Sequence, residues 1–397
     1  MKKTIVLAAV AMLVAGTVQC ADAQSTVTLY GIVDTGIAYT NSVAASLKGV
    51  GAYRWSMVSG SQSGSRWGMT AREDLGGGTS VVFQLENGFN SSNGTLGQGG
   101  RMFGRQAYVG LANDRFGTLT LGRQYQFEFD WVSPLMSWAQ FGSVYGAHVG
   151  DVDNAFQTYR LNNSVKYQIS PLSGLQLGAL YAFSNQGSAS NGAGFSNNRA
   201  YEFGINYVRG PLTVAASYLS VSNPSAGIAA STNPNGAIGD EYSNSTTIFY
   251  NTGFVDSQRV YALGGGYKVG AATLDLVFTN TLLEYRGGQS LRVANYEING
   301  RYQFTPALTA GIGYIYTDGS GFAGGGSTAY ATGTHPQWHQ VDAGVTYLLS
   351  KRSDFHFSAV YQHAAGDATE AVQNLVGPAG AGRKSQLTLV LGFRHRF

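Results

Sequence analysis

The last eleven residues of the chain, LTLVLGFRHRF, alternate between apolar and polar side chains. Successive side chains of a β-strand point to opposite faces, so a strand here would have one apolar and one polar face. The apolar face would carry Leu387, Leu389, Leu391 and Phe393. The polar face would carry Gln386, Thr388, Gly392, Arg394 and Arg396. Such a strand suits a sheet with an apolar environment on one side and water on the other.

The same two-residue period recurs along most of the chain, for example at residues 66–72, 81–86, 175–183, 201–207 and 295–304. Hydrophobic residues make up 44% of the chain and charged residues only 12%, yet the mean hydropathy is -0.07. The apolar residues are therefore abundant but finely interleaved with polar ones. This pattern, together with 55 glycines, favours many strands and few helices.

The only long apolar run lies at the amino end, in MKKTIVLAAVAMLVAGTVQCADAQ. Two lysines precede the run and the small-residue pattern Ala21 to Ala23 follows it, which is typical of a secretory signal peptide. We assign residues 1–23 to the signal peptide and residues 24–397 to the mature chain. Cys20, the sole cysteine, would leave with the signal. A lipoprotein signal is the alternative use of this cysteine, and Gln19 disfavours it.

No later segment resembles a membrane helix, so a membrane location would require a closed barrel, which satisfies every backbone hydrogen bond in lipid. Short turns alternate with long Gly-, Ser- and Asn-rich connections. The seven short turns lie at residues 74–78, 112–117, 170–174, 209–211, 269–271, 305–307 and 350–354. They separate eight hairpins. The sequence therefore predicts an all-β fold, a 16-stranded antiparallel transmembrane β-barrel of the outer membrane with short periplasmic turns and long extracellular loops.

The cost of placing charge in lipid assigns the two faces of the strands. A Lys or Arg near the bilayer midplane costs about 2 to 4 kcal/mol on the lipid face, so mid-strand charges should point into a wet lumen. The charged residues predicted to line the lumen are Arg66, Glu86, Arg160, Lys166, Glu202, Asp275, Glu297, Arg301, Asp342 and Arg394. Phe397 would be the lipid-facing end of the last strand. A β-sandwich with one wet face is the alternative, but it needs no signal peptide.

Motifs for catalysis or cofactor binding are missing from the sequence. There is no Gly-x-Ser-x-Gly elbow, no His-Glu-x-x-His and no phosphate-binding Gly-rich loop, so we expect neither an enzyme nor a cofactor. His335 and His339 have the spacing of a helical metal site, but Pro336 beside them favours exposed loop histidines, and we expect no metal. The mature chain is nearly neutral, which gives no indication of a nucleic-acid partner.

Several stretches resemble the general trimeric porins of Gram-negative bacteria, most closely those of the β-proteobacterial branch. The matching stretches are STVTLYGIVDTGI, SGSRWG, REDLGGGTSVVFQLENGF, RMFGRQAYVGL, FGTLTLGRQY, RLNNSVKYQISP and the terminal Phe397. The resemblance implies a homotrimer in outer-membrane lipid, passive diffusion of small hydrophilic solutes and ions, and a third long loop folded into the lumen. It also implies that Phe397 is an assembly signal for the outer-membrane barrel assembly machinery.

Residues 124–159, Gln124 to Tyr159, are the candidate for this constriction loop, because the segment is long and rich in aromatic residues that an inward fold can bury. Its acids are Glu128, Asp130, Asp151 and Asp153. The predicted basic wall consists of Arg66, Arg105 and Arg160, which match the family's arginine ladder, and of Lys166. Acids opposite arginines would set a transverse field across a narrow eyelet. Solvated lumen arginines in ordinary salt bridges are the alternative.

Arg123 does not fit the alternation of its strand, since it falls on the outward face with Leu119 and Leu121. Either the alternation slips at Gly122 or the arginine lies at a subunit interface, and we favour the interface.

The loop also lacks an acid in SWAQFGSVYG, where related porins often carry one, and this predicts weak anion selectivity. A substrate-specific channel, or a barrel whose long loops (for example 222–257) serve as adhesin or phage receptor, are the competing functions.

Overall fold

We analysed a computed structural model of the chain, which describes residues 26–45, 49–187, 194–227, 233–243, 255–322, 333–377 and 380–397. The predicted signal peptide, residues 1–23, lies outside the described residues. None of the helical segments within these ranges is long and apolar enough to cross a bilayer.

The described residues form seventeen β-strands. Their bounds are β1 Thr26–Ala44, β2 Gly51–Ser59, β3 Arg66–Gly76, β4 Thr79–Gly88, β5 Gln106–Asn113, β6 Gly117–Gln124, β7 Leu161–Leu172, β8 Leu175–Ala182, β9 Arg199–Arg209, β10 Leu212–Ser222, β11 Val255–Val269, β12 Ala272–Tyr285, β13 Ser290–Gln303, β14 Leu308–Phe322, β15 Pro336–Leu348, β16 Ser353–Gly366 and β17 Ser385–Arg396. Short helical turns occur at Gln98–Gly100, Glu128–Val132, Ser133–Leu135, Trp138–Gly142, Val144–Gly146, Val149–Asp151, Gly194–Ser196, Pro224–Gly227 and Asp240–Ser243.

The strands form one closed antiparallel barrel. From β3 to β17 each strand pairs with the next along the chain, and β17 pairs with β1. Both β2 and β3 pair with β1, with its second half and its first half respectively. They are therefore two halves of a single barrel strand, and the seventeen segments make sixteen. The predicted 16-stranded antiparallel barrel is confirmed.

The faces of the strands follow the predicted alternation. In β17, Leu391 is 59% exposed on the outer face, whereas Val390 and Thr388 are fully buried on the inner face. Most of the charged residues predicted to line the lumen are buried inside the barrel, namely Glu86, Arg160, Lys166, Glu202, Asp275, Glu297, Asp342 and Arg394. Arg66 is half-buried and Arg301 is exposed. The main apolar core also lies inside, between the inner wall and the segment that joins β6 to β7.

The short connections are built from residues that tolerate tight turns. Between β3 and β4 the chain turns within Gly77 and Gly78, both of which have positive φ, a conformation that favours glycine. The longest connection with continuous description runs from 125 to 160, between β6 and β7. His339, predicted to be an exposed loop histidine, instead lies in β15 with its ring against Tyr314 and Tyr316.

The gap between β2 and β3 is a bulge, residues 60–65, organised by one buried carboxylate. The carboxylate of Asp34 accepts hydrogen bonds from the backbone N–H groups of Ser61, Gln62 and Ser63 at 2.7 to 3.0 Å and from the Ser61 hydroxyl at 2.7 Å. The bulge is therefore fixed although it has no ladder partner of its own. It projects toward the lumen, where it meets the connection between β6 and β7.

The carboxyl-terminal residue completes the barrel seam. The backbone N–H and C=O of Phe397 bond the C=O and N–H of Gly31 at 3.0 Å each. Its ring covers Gly31 so closely that a Cβ added there would lie 2.3 Å from the ring and 2.8 Å from the Arg66 carbonyl oxygen. The seam thus needs a residue without a side chain at position 31.

We expect Gly31→Val to displace the Phe397 ring and to lower the free energy of unfolding by about 1–3 kcal/mol, the usual cost of overpacking. Urea unfolding of the barrel in detergent measures this. Gly265→Val, where no atom lies within 4 Å of an added Cβ, is the matched control and should leave the stability unchanged or higher. Equal losses in both variants would show that the contact with Phe397 is unimportant.

Candidate functional site

The connection between β6 and β7, residues 125–160, is the third long connection and lies inside the barrel; we call it the third loop. Acids of the inner wall bind its backbone. Glu202 accepts the N–H groups of Phe127 and Glu128 at 2.8 and 2.9 Å, and Glu297 accepts the N–H of Ser137 at 2.5 Å. These carboxylates accept hydrogen bonds from backbone N–H groups that have no acceptor within the short helical turns.

Glycines on the inner wall make room for the aromatic residues of the third loop. A Cβ added at Gly178 would lie 2.3 Å from the Phe127 ring, and one added at Gly311 would lie 2.3 Å from the Phe141 ring. The rings therefore press directly on the backbone of the wall. Such close packing buries apolar rings that would otherwise be exposed to the aqueous lumen.

The middle of the third loop, residues 138–144, is held by the bulge of residues 60–65. The side chain of Gln62 donates to the carbonyl oxygen of Trp138 at 2.9 Å and accepts the N–H of Ser143 at 3.2 Å. The N–H of Val144 bonds the carbonyl oxygen of Ser61 at 3.1 Å. The third loop is thus fixed by the wall acids and by the bulge, and also by wall amides such as Gln340, which donates to the carbonyl oxygen of Gly146 at 2.8 Å. It narrows the lumen.

The remaining space includes a cavity of about 530 Å³. Arg66 at the start of β3 belongs to its lining, as do Arg105 and Arg160, which immediately precede β5 and β7. The third loop contributes Phe129, Trp138, Ala139, Val144, Phe156, Gln157 and Thr158, and the loop between β10 and β11 contributes Asp240 and Glu241. The three predicted ladder arginines therefore meet at one cavity, although they are separated by up to 94 residues in sequence.

Glu86 and Tyr125 hold the arginines in place. The carboxylate of Glu86 accepts hydrogen bonds from Arg105 Nε at 2.7 Å and from the hydroxyls of Tyr125 and Tyr30 at 2.7 and 2.8 Å. The guanidinium carbons of Arg105 and Arg160 lie 5.6 and 5.9 Å from the centre of the Tyr125 ring, within the range of cation–π contact. One carboxylate and one ring therefore position the basic cluster.

Lys166 does not join this cluster, contrary to the prediction. Its Nζ pairs with Asp130 at 2.5 Å and donates to the carbonyl oxygen of Tyr125 at 2.9 Å. It is 4% exposed and lies outside the lining of the cavity. The lysine is one of the residues that tie the third loop to the wall.

None of the four third-loop acids predicted for the eyelet lines this cavity, and three of them, Glu128, Asp151 and Asp153, are buried. Asp151 accepts N–H groups of its own loop, and Asp153 bonds His148 at 2.5 Å and Thr279 at 2.6 Å. Asp130 is paired with Lys166, as described above. Asp130 and Asp153 thus tie the third loop to the wall, and Asp151 holds the loop to itself.

Glu128 is the fourth of these acids and lies buried, 1% exposed, with no hydrogen-bond partner for its carboxyl oxygens among the described residues. Burial, reinforced by the neighbouring carboxylates of Asp153 and Glu202, raises the pKa of Glu128 well above its usual range. A neutral carboxyl is the form that this environment favours.

Arg123 points into the barrel, so the subunit-interface prediction is corrected in favour of the slip at Gly122. The pairing of β6 with β7 shifts between Gly122 and Gln124, and Gly122 has a φ of 142°. Arg123 consequently forms two hydrogen bonds to the carboxylate of Glu241, at 2.8 and 2.7 Å, and is 8% exposed.

Charges around the cavity do not balance. The ion pairs at the cavity and next to it contain five guanidiniums, namely those of Arg66, Arg101, Arg105, Arg123 and Arg160. Three carboxylates oppose them, namely Glu86, Asp240 and Glu241. Five minus three leaves two positive charges in excess. Sequence reasoning missed Tyr125 and Glu241, and no local pattern marks Glu241, which lies in an irregular loop.

The metal-ligating residue types offer no alternative site. No group of three His, Cys, Asp or Glu side chains in the described ranges is arranged to hold a metal ion.

Comparisons with known proteins indicate one and the same family over most of the chain. The profile of the Gram-negative porin family matches residues 7–367. An outer membrane porin protein of Bordetella pertussis (strain Tohama I) is 35% identical over 430 residues, with 100% of both chains covered. The chain belongs to the Gram-negative porin family. It is therefore an outer-membrane channel protein and not an enzyme, as the sequence predicts.

Further relatives agree with this assignment. Outer membrane porin protein 32 of Delftia acidovorans is 26% identical over 411 residues, again with 100% of both chains covered. Among solved structures, the anion-selective porin from Comamonas acidovorans matches with a TM-score of 0.70 at 23% identity, covering 94% of this chain and 100% of that chain. The trimer form of OmpT from Vibrio cholerae matches with a TM-score of 0.63 at 16% identity, covering 94% and 99%.

We expect Glu128→Gln to stabilise the porin at pH 8. In the folded chain Glu128 keeps its proton at pH values where the unfolded chain has lost it, so this residue costs stability as the pH rises above about 4.3. The variant should gain about 1–3 kcal/mol at pH 8 and much less at pH 4, measured by urea unfolding in detergent. The exposed Glu73→Gln is the control. A variant that is less stable at pH 8 would mean that the carboxylate is ionised and bound.

Proposed function

We propose that this porin is a general diffusion channel for small hydrophilic solutes and ions, with a preference for anions at its constriction. The observation that carries the proposal is the excess of two positive charges around a cavity lined by Arg66, Arg105 and Arg160. A fixed positive potential in a narrow, protein-walled passage raises the local concentration of anions and lowers that of cations.

Arg66 and Arg160 are the arginines whose charge should act most strongly on a solute. The nearest described carboxylate oxygen to each lies at 3.9 Å, beyond hydrogen-bond distance. Arg105, Arg123 and Arg101 are held by direct hydrogen bonds to carboxylates at 2.6 to 2.8 Å. Direct pairs are nearly neutral at a distance, whereas the two loosely paired guanidiniums are not.

Similarity to a solved porin also supports a preference for anions. The structurally similar porin from Comamonas acidovorans is described as anion-selective. At 23% identity this likeness establishes the fold, and it makes anion preference the natural expectation for a basic constriction in the same barrel.

A homotrimer is the assembly that we infer for this porin in outer-membrane lipid. The OmpT match is to a trimer form. The chain also exposes large apolar residues on β1 and β2, with Ile37 55%, Trp55 66% and Met57 63% exposed, which either lipid or a second subunit would cover.

We further propose that the barrel assembly machinery recognises and binds Phe397 before the barrel closes. In the closed barrel its backbone is already bonded to Gly31, so the residue is accessible as an extended strand end only during assembly.

We expect the double substitution Arg66→Ala and Arg160→Ala to reduce anion preference. In planar bilayers under a KCl gradient, the wild-type reversal potential should have the sign of a channel more permeable to chloride. The double variant should shift it by several millivolts toward the potassium potential, because it removes the two loosely paired charges.

Arg72→Ala is the matched control, since Arg72 is exposed and lies outside this cavity. It should leave the reversal potential unchanged. A wild-type channel that prefers potassium, or a double variant indistinguishable from Arg72→Ala, would contradict the proposed function.

A further inference from the structure

The cavity has a second chemical character besides its positive charge. Three aromatic residues of the third loop line it, Phe129, Trp138 and Phe156, and we call them the aromatic wall. The ring centres of Phe129 and Trp138 are 6.4 Å apart, and those of Trp138 and Phe156 are 5.0 Å apart. The rings therefore form one continuous surface, and Phe129 and Phe156 are only partly buried.

The basic cluster meets this surface directly. The Tyr125 ring lies 5.9 Å from the Arg160 guanidinium carbon and 4.8 Å from the centre of the Phe129 ring. Phe156 precedes Arg160 by four residues and lines the same cavity. A solute that contacts the guanidinium of Arg160 is thus within a few ångströms of an aromatic face.

Arg160 also has unused donors. Among the described residues its guanidinium makes no hydrogen bond, and its buried Nε has no partner. The nearest acid, Glu241, stands 3.9 Å away and is already engaged by two hydrogen bonds with Arg123. A guanidinium presents a planar fork that binds a carboxylate through two parallel hydrogen bonds, which Glu241 does not supply here.

The cavity volume of about 530 Å³ lies within the range of roughly 300–1,000 Å³ that is typical of small-molecule sites. Its lining combines convergent cations with rings, and its two acids, Asp240 and Glu241, are paired with Arg101 and Arg123. A solute that suits the volume, the cations and the rings of this cavity has one carboxylate and one planar apolar body. Small inorganic anions use only the charge, and neutral aromatic compounds use only the rings.

We propose that the constriction is a binding site for aromatic monocarboxylates, in which the carboxylate bonds Arg160 and the ring packs against Phe129 and Phe156. This inference rests on the proposed anion preference and adds a substrate class to it. Binding here would favour such solutes over aliphatic anions of the same charge at low external concentration, while smaller ions still diffuse through.

Interruption of single-channel chloride current in planar bilayers tests this proposal, with benzoate and acetate as probes of equal charge and benzyl alcohol as the neutral aromatic control. We expect benzoate to reduce the wild-type current at a half-saturating concentration at least about tenfold below that of acetate, and benzyl alcohol to have little effect. The double substitution Phe129→Leu and Phe156→Leu should bring the half-saturating concentration of benzoate to within about twofold of that of acetate.

Two further variants make the test specific. Arg160→Lys keeps the charge but loses the planar fork, so it should weaken block by benzoate several-fold while largely retaining anion preference. Phe195→Leu removes an exposed aromatic ring outside this cavity and should behave as wild type.

Equal block by benzoate and acetate in a wild-type channel that remains anion-selective would overturn the inference and leave the proposed function intact. A wild-type channel without anion preference would overturn the proposed function instead. Because the wild-type comparison alone decides the first point, the test does not depend on the folding of any variant.

Discussion

Closure of the sheet between β17 and β1 holds the barrel together and separates its inner face from its outer face. In lipid an unpaired strand edge would leave a row of backbone donors and acceptors without partners, at a cost of several kcal/mol each. Nine residue pairs join the two strands, and Phe397 extends the seam by bonding Gly31. Because the barrel is closed, its inner face is defined, and everything that shapes the channel can be attached to that face.

The inner face has two kinds of attachment point for the third loop. Glycines such as Gly178 and Gly311 let aromatic rings approach the wall, and carboxylates such as Glu202 and Glu297 receive backbone donors of the loop. The acids inside the barrel therefore serve mainly to hold the third loop. Glu128, Asp151 and Asp153 of the third loop are buried outside the lining of the cavity, and the cavity keeps a positive excess next to an aromatic surface.

The sequence predicted the barrel well because a strand face is a local property: a period of two and short turns suffice to count sixteen strands. Arg66, Arg105 and Arg160 were expected together from their match to the family's arginine ladder, and all three line the cavity. Arg123 was misplaced because the pairing of β6 with β7 shifts between Gly122 and Gln124, so that the simple alternation fails at Arg123. The third-loop acids were misplaced because no period governs an irregular loop, where Asp153 is oriented by Thr279, 126 residues away.

We infer that the selectivity of this porin depends on the charges at the cavity and not on the acids of the third loop. The most direct measurement is the reversal potential under a KCl gradient of Glu241→Gln beside that of Asp151→Asn. Glu241 lines the cavity, whereas Asp151 is buried within its own loop. We expect Glu241→Gln to increase anion preference and Asp151→Asn to leave it unchanged. A shift in Asp151→Asn with none in Glu241→Gln would contradict it.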